Sequence, residues 1–148
     1  GRAAVGVCDA SMPLNSPLAG VAWKACPALL CGNAVVAKSH ELTPYTAVAF
    51  SKVLQEAGLP RGVYSVVQGY GLEAGMPLIE DDRVGLVSFT GPVPTGKRLT
   101  QAVRARPGLA QVVLELGCEH RRRLSDAGRL VRAAGPPCGR PENDGVAA

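Results

Sequence analysis

The chain has 148 residues, 47% of them hydrophobic and 19% charged, which suits one domain with a hydrophobic core and excludes disorder throughout. No apolar run approaches the roughly 20 residues of a membrane span, and the N-terminus lacks the pattern of a secretory signal. The net charge of +4 is too small to indicate nucleic-acid binding, so we expect a cytoplasmic protein with neither a membrane nor a nucleic-acid partner.

Short apolar segments alternate with segments of helical periodicity from residue 4 to residue 116. The apolar segments predict strands at Ala4–Cys8, Ala34–Lys38, Val63–Gln68, Val84–Ser88 and Gln111–Leu114. The periodic segments predict helices at Pro17–Leu30, Pro44–Ala57, Leu72–Glu80 and Val93–Ala105. This alternation is typical of repeated βαβ units, so we predict the α/β class with a Rossmann-like open parallel sheet of about five strands and flanking helices.

The residues at the helix ends support these bounds. Thr43 before Pro44 is typical of an N-cap with proline in the first turn. Gly32 and Gly58 lie where a helix ends in a left-handed residue.

The pattern changes after Gly117, where turn residues and the run Arg121–Arg123 leave little apolar surface to bury. One short helix at most is expected within 124–134. We predict a domain over residues 1–117 and a disordered tail over residues 118–148. Three arginines in a tail of mixed charge are usually solvated, so we assign them no partner.

The five cysteines indicate neither a metal site nor a disulfide framework. Cys8, Cys26, Cys31, Cys118 and Cys138 lack the paired short spacings that those structures require. We therefore expect reduced thiols and predict no metal site.

Two glycine-containing turns lead from a predicted strand into a predicted helix. The first contains Gly71 and Gly75, and the second runs from Ser88 through Thr90 and Gly91 to Gly96. Such turns let the backbone approach a phosphate at a helix N-terminus. Glycine-rich turns are also common between secondary-structure elements that bind no ligand, and in isolation the plain turn is the favoured interpretation of each.

Three short motifs in a fixed order resemble the aldehyde dehydrogenase family. They are Pro13-Leu14-Asn15, Ser88-Phe89-Thr90-Gly91 and Leu114-Glu115-Leu116-Gly117, with Trp23-Lys24 and Lys38-Ser39-His40-Glu41 between the first two. The resemblance covers Val5 to Gly117 and implies part of a domain that binds NAD or NADP. It also implies the family's oxidation of an aldehyde to a carboxylic acid, through attack by a cysteine, hydride transfer and thioester hydrolysis.

The resemblance implies roles for individual residues. It makes Glu115 the general base, Asn15 the amide that stabilises the oxyanion, and Lys24 a supporting residue near the base. Without the family context, Asn15 is a turn residue, Lys24 a surface lysine and Glu115 a solvent-facing carboxylate. Burial between Leu114 and Leu116 is expected to raise the pKa of Glu115.

Cofactor contacts are implied in the same way. Lys38 and Glu41 correspond to the family's ribose-binding pair, and an ammonium beside a carboxylate can hold a diol. The resemblance implies contacts with the pyrophosphate for the second glycine turn, at Ser88, Thr90, Gly91 and Gly96. The position of the first turn between a strand and a helix makes Gly71 and Gly75 further candidates for cofactor contacts. A solvated lysine and a glutamate at a helix start are the alternative for the ribose pair. His40 is expected to have no role.

Two departures from the family limit what this chain is expected to do. Pro92 replaces a serine at the phosphate turn and removes both a backbone donor and a hydroxyl, so weakened cofactor binding is expected. No family-like nucleophile follows Glu115, because Cys118 has an acidic neighbour and Cys138 lacks the family's loop. We expect an inactive fragment after a frameshift, altered splice or truncation. The alternatives are a non-catalytic dinucleotide-binding module and a fragment that associates with family subunits.

Overall fold

The computed structural model describes residues 3–117 and two separate two-residue strands, Arg123–Leu124 and Leu130–Val131. The strands of the main body are β1 (Val7–Ser11), β2 (Ala34–Lys38), β3 (Tyr64–Val67), β4 (Val84–Gly91) and β5 (Gln111–Leu116). The helices are α1 (Pro17–Leu30), α2 (Pro44–Glu56), α3 (Met76–Glu80) and α4 (Val93–Ala105), and a π-helical turn over Gly71–Gly75 leads into α3. Among the described residues, none of the helices has both the length and the apolar composition that a membrane crossing needs.

The five strands form one parallel sheet in the order β3-β2-β1-β4-β5. This confirms the predicted α/β class and the open parallel sheet of five strands. The chain builds outward from β1 to β3 and then returns to β4 on the other side of β1. Ligands of open α/β sheets bind outside the carboxyl ends of the strands where the order reverses, which here means between β1 and β4.

Each face of the sheet is covered by its own hydrophobic core. On one face, α1 and α2 pack against residues of β1, β2 and β3, with Val21, Ala25, Val35 and Tyr64 among the buried side chains. On the other face, α3 and α4 pack against β4 and the edge strand β5. The buried residues of that second core are Ile79, Val84, Val87, Leu99 and Val103. Alternate residues of β1 therefore point into different cores.

Most predicted bounds are confirmed to within a few residues, but the first strand was misplaced. It was predicted at Ala4–Cys8 and is found at Val7–Ser11. The polar residues Asp9 and Ser11 have low strand propensity, and pairing with a strand on each side outweighs that preference. The predicted helix at Leu72–Glu80 is also corrected, because its first part forms the π-helical turn.

The predicted helix ends are present. Gly32 and Gly58 have φ values of 81° and 91°, a left-handed conformation that glycine adopts without strain. Thr43 is the N-cap residue of α2, although its side chain makes no capping hydrogen bond.

The expectation of a disordered tail falls mainly on residues outside the described part of the chain. The strands Arg123–Leu124 and Leu130–Val131 pair antiparallel with each other. They overlap residues 124–134, for which one short helix at most was expected, and the described residues of that segment are extended.

Arg106 fastens the end of α4 to the elements that precede it. Its guanidinium group donates to the backbone carbonyls of Ile79 at 3.0 Å and Val84 at 2.7 Å, and to Asp82 at 3.3 Å. The side chain is only 4% exposed. A planar fork with several N–H donors can reach three acceptors at once, which an ammonium group on a flexible stem cannot do with the same geometry.

Replacing Arg106 by lysine should lower the free energy of unfolding by about 2 kcal/mol, because at least one buried carbonyl loses its donor. Urea unfolding measures the change. Arg104→Lys is the matched control, since Arg104 is exposed on the same helix and should change stability by less than about 0.5 kcal/mol. Equal effects of the two substitutions would show that the hydrogen bonds of Arg106 do not stabilise the fold.

Candidate active site

A shallow cleft of about 270 Å³ lies at the carboxyl ends of β1, β4 and β5. Its lining residues are Pro13, Asn15, Thr90, Gly91, Glu115, Leu116 and Gly117. Four residues with predicted roles, Asn15, Thr90, Gly91 and Glu115, therefore meet in one place although they come from three separate segments. The parallel sheet explains this, because the loops that follow its strands all emerge at the same edge.

A larger groove of about 520 Å³ lies between α4 and β5. Val103, Leu109, Val112 and Leu114 are among its lining residues, and none of the residues lining it has a predicted role in catalysis or cofactor binding. The smaller cleft is the better candidate for chemistry, because its lining includes a carboxylate and an amide at the carboxyl edge of the sheet.

The carboxylate of Glu115 is held by two neighbouring side chains. The Thr90 hydroxyl donates to Glu115 Oε2 at 2.5 Å, and Lys24 Nζ donates to the same oxygen at 3.2 Å. Thr90 and Glu115 are register partners on β4 and β5, which places their side chains next to each other on the same face. Lys24 reaches them from α1, which covers that face.

The predicted rise in the pKa of Glu115 is wrong. Its side chain is 59% exposed, so burial is slight. Hydrogen bonds from Thr90 and Lys24 stabilise the charged form and hold the pKa of Glu115 below its ordinary value. The carboxylate is therefore ionised at neutral pH, and it is a weaker base than a buried carboxylate would be.

Lys24 is not a surface lysine. Its side chain is 4% exposed, and its ammonium group donates to Ser88 Oγ at 3.0 Å as well as to Glu115. Ser88 follows Val87 on β4 and faces α1, so its hydroxyl is engaged within the protein on the same face as Glu115. One buried cation thus connects α1 with β4 and β5 behind the cleft.

Lys38 and Glu41, the predicted ribose pair, lie together at the end of β2. Lys38 Nζ and Glu41 Oε2 are 3.8 Å apart, and both side chains are largely buried. His40 accepts the backbone N–H of Leu42 at its Nδ1 atom, which lies 3.5 Å from Glu41 Oε2.

The loop that carries this pair is fastened to β3. The Ser39 hydroxyl donates to Gln68 Oε1 at 2.6 Å, and Gln68 Nε2 donates to the carbonyl of Pro44 at 2.9 Å. These hydrogen bonds connect the segment after β2 with the segment after β3, and so limit the positions that the ribose pair can take.

The four predicted glycines differ in what surrounds them. A Cβ atom added at Gly71 or Gly75 would meet no atom within 4 Å, and neither glycine has a positive φ. Packing and backbone conformation therefore do not require glycine there. A Cβ at Gly91 would collide with the Phe89 ring, and one at Gly96 would lie 2.7 Å from Leu116 Cδ2. A side chain at either position would therefore require Phe89 or the exposed Leu116 side chain to move.

No cysteine lines the cleft among the residues that the structure describes. Cys8 is buried, Cys26 is half-buried and Cys31 is exposed, and all three are reduced thiols. Cys118 and Cys138 lie outside the described residues. Within the described residues there is no cluster of His, Cys, Asp or Glu side chains that could hold a metal ion.

Sequence reasoning missed Asp9, a buried carboxyl group on the central strand. Asp9 is 0% exposed, and its Oδ1 atom accepts a hydrogen bond from Ser11 Oγ at 2.9 Å. Burial raises its pKa to about 7, against the lowering effects of the Ser11 hydrogen bond and the charges of Lys24 and Lys38. The available signal was an acidic residue within an apolar segment next to a predicted strand.

Comparisons with known proteins identify what this arrangement is similar to. The profile described as "Aldehyde dehydrogenase family" matches residues 1–127. The chain is 47% identical over 116 residues to 4-trimethylaminobutyraldehyde dehydrogenase A of Danio rerio, covering 78% of this chain and 22% of that protein. It is 43% identical to aldehyde dehydrogenase, cytosolic 1, of Mus musculus, covering 78% of this chain and 23% of that protein.

A solved structure agrees with these sequence matches. PnpE from Pseudomonas sp. WBC-3, which has also been solved in complex with nicotinamide adenine dinucleotide, superposes with a TM-score of 0.75 at 40% identity. The superposition covers 78% of this chain and 23% of PnpE. The chain thus spans less than a quarter of the length of these relatives.

Replacing Thr90 by valine should raise the pKa of Glu115 toward its ordinary value, because the Thr90 hydroxyl does most to lower it. Lys24→Met should act in the same direction. NMR titration of the Glu115 side-chain carboxyl carbon measures both changes. Ser88→Ala is the control, since it leaves both donors to Glu115 in place and should shift the pKa less. An unchanged pKa in Thr90→Val would contradict the geometry.

Replacing Asp9 by asparagine should stabilise the protein above about pH 4, and the gain should grow until about pH 7. The folded chain keeps the Asp9 proton up to about pH 7, whereas the unfolded chain loses it above the ordinary aspartate pKa of 3.8. The stability that Asp9 contributes is therefore complete below about pH 4 and is lost as pH rises through 7. The free energy of unfolding of Asp9→Asn should equal that of the parent chain near pH 4 and should exceed it by on the order of 2–4 kcal/mol at pH 8.

Urea unfolding at pH 4, 6 and 8 measures this difference. Glu56→Gln removes an exposed carboxylate on α2 and is the control, because it should show no comparable dependence on pH. If Asp9→Asn and the parent chain differ by the same amount at all three pH values, Asp9 does not titrate in this range.

Proposed function

The chain belongs to the aldehyde dehydrogenase family, and we propose on this basis that residues 1–117 form the dinucleotide-binding part of an enzyme that oxidises an aldehyde to a carboxylic acid. The observation that supports this most directly is the cleft at the carboxyl edge of the sheet. It gathers Asn15, Thr90 and Glu115 at the reversal of strand order, with Lys24 behind them.

The residues present fit a dinucleotide. The open space beside Gly71 is what a close approach of backbone and ligand requires, since no packing within the protein uses it, whereas Gly75 is buried. Lys38 and Glu41 offer a donor and an acceptor at the end of β2, an arrangement that suits the two hydroxyls of a ribose. When bound, NAD or NADP supplies a hydride acceptor.

The first turn of α4 is expected to bind the pyrophosphate weakly. Pro92 is the N-cap residue of this helix, and its carbonyl accepts the N–H of Gly96 at 3.0 Å. Proline has no N–H, and Pro94 in the same turn lacks one too. The turn therefore presents fewer donors to an anion than a helix start usually does.

The cleft residues have distinct chemical roles in this proposal. Glu115 is ionised at neutral pH and accepts a proton from water at its carboxylate. Thr90 and Lys24 orient that carboxylate through the hydrogen bonds already described. The Asn15 amide, on the loop between β1 and α1, donates to an oxygen that becomes negatively charged.

The 148-residue chain by itself is proposed to bind the dinucleotide without oxidising an aldehyde, because the described part of the cleft contains no nucleophilic thiol. We further propose a cytoplasmic location and an aldehyde as the small-molecule substrate of the complete enzyme. Association with family subunits is also proposed. Exposed apolar residues on α1, Trp23 and Leu30 among them, support it.

Calorimetric titration of the full chain with NAD and NADP tests the proposal. Lys38→Ala should weaken binding by about tenfold, which corresponds to one lost charged hydrogen bond. Lys52→Ala is the control, because Lys52 is exposed on α2 and should leave affinity unchanged. Equal affinities for all three proteins would contradict the assignment of Lys38 to the cofactor.

An absorbance assay for reduced cofactor, with an added aldehyde, completes the test. Binding without reduction is the expected result for this chain. Reduction would show that a thiol of the chain is catalytic, and an absence of binding at millimolar NAD and NADP would contradict the proposed cofactor site.

A further inference from the structure

Asp9 is a buried acid whose presence the fold does not explain. It lies in the middle of β1, where its register partners are Val36 on β2 and Val87 on β4. One carboxyl oxygen accepts from Ser11, whereas the other, Oδ2, is buried and has no hydrogen-bond partner among the described residues. An unsatisfied polar atom in such surroundings costs free energy, and a residue as small as alanine would pair in the sheet equally well.

The charges that act on Asp9 come from two elements near the proposed cofactor site. Lys24 lies on α1, across the sheet from the face that Asp9 shares with Val87, and Lys38 lies at the end of β2. On its own strand, Cys8 has its pKa raised partly by Asp9. The charged residues of α3 and α4 are Glu80, Lys97, Arg98 and Arg104, and within the described chain none of them is among the groups that shift the pKa of Asp9.

Asp9 is also close to where an anionic ligand would bind. It lies two residues before the carboxyl end of β1, which borders the reversal of strand order. Lys38, which the proposed function assigns to the dinucleotide, is one of the two cations that stabilise the charged form of Asp9. A bound dinucleotide would engage Lys38 through its ribose hydroxyls and would bring the negative charge of its pyrophosphate to this edge of the sheet, and both effects disfavour an ionised carboxylate in β1.

We propose that Asp9 is a positioning residue that takes up a proton from solvent when the dinucleotide binds, so that cofactor affinity increases as pH falls. The neutral carboxyl group keeps its hydrogen bond from Ser11 and leaves the charge of Lys38 to the ligand. The proton returns to solvent when the ligand dissociates. This inference rests on the proposed function, because it requires a dinucleotide at the carboxyl edge of the sheet. Its physical basis is thermodynamic linkage between two binding events, one of a proton and one of an anion.

Titration calorimetry of the full chain with NAD at pH 7, in buffers of different ionisation enthalpy, measures the protons taken up. The parent chain should show net uptake, and its Kd should fall by about three- to tenfold between pH 8.5 and pH 6. Asp9→Asn should show no uptake, and its Kd should be constant and near the value of the parent chain at pH 6. His40→Asn is the matched control, since it replaces the imidazole that lies beside the proposed ribose pair, and it should keep the uptake.

A second measurement requires no substitution and so remains informative if Asp9→Asn fails to fold. NMR titration of the Asp9 carboxyl carbon should show a higher midpoint with saturating NAD than without it. Binding without proton uptake, an unchanged midpoint, or uptake that persists in Asp9→Asn and disappears in His40→Asn would each overturn the inference while leaving the proposed function intact. An absence of NAD binding at every pH would overturn both.

Discussion

The position of β1 between β2 and β4 is the constraint on which the rest of the structure depends. Both edges of this strand are paired, and a helical layer covers each face of the sheet. The side chains of β1 are therefore enclosed. Because the chain reverses its strand order at β1, the loops after β1, β4 and β5 meet at one edge. The cleft exists because of that meeting, and no local sequence signal creates it.

The cost of the central position is that polar residues near the site are buried with it. Asp9, Lys24 and Lys38 are all largely removed from water, and hydrogen bonds, ion pairs and the attraction between the opposite charges offset the loss of hydration. Lys24 illustrates the balance, since its ammonium group has partners on β4 and β5 as well as a favourable interaction with Asp9. Any change in the charge of one member therefore alters the others, which is the physical reason to expect coupling between protons and ligand.

The glycines show that one residue type can serve two different purposes within a site. Gly91 and Gly96 leave space for the side chains of Phe89 and Leu116, so their role in the isolated chain is packing. Gly71 and Gly75 border open space and have ordinary backbone angles. Of these two, Gly75 is buried, so only Gly71 carries an argument for a ligand, although the sequence presents all four glycines in similar turns.

The sequence by itself determined the α/β class, the family and all four helical segments, because apolar periodicity and motif order are local properties of the chain. It also located the residues that meet in the cleft, although their functional roles stay predictions. It misplaced β1, because paired neighbours decide whether Asp9 and Ser11 are extended. It also gave the wrong direction for the pKa of Glu115. Only the tertiary structure brings Thr90 and Lys24 to that carboxylate, and electrostatic environment depends on residues far apart in sequence.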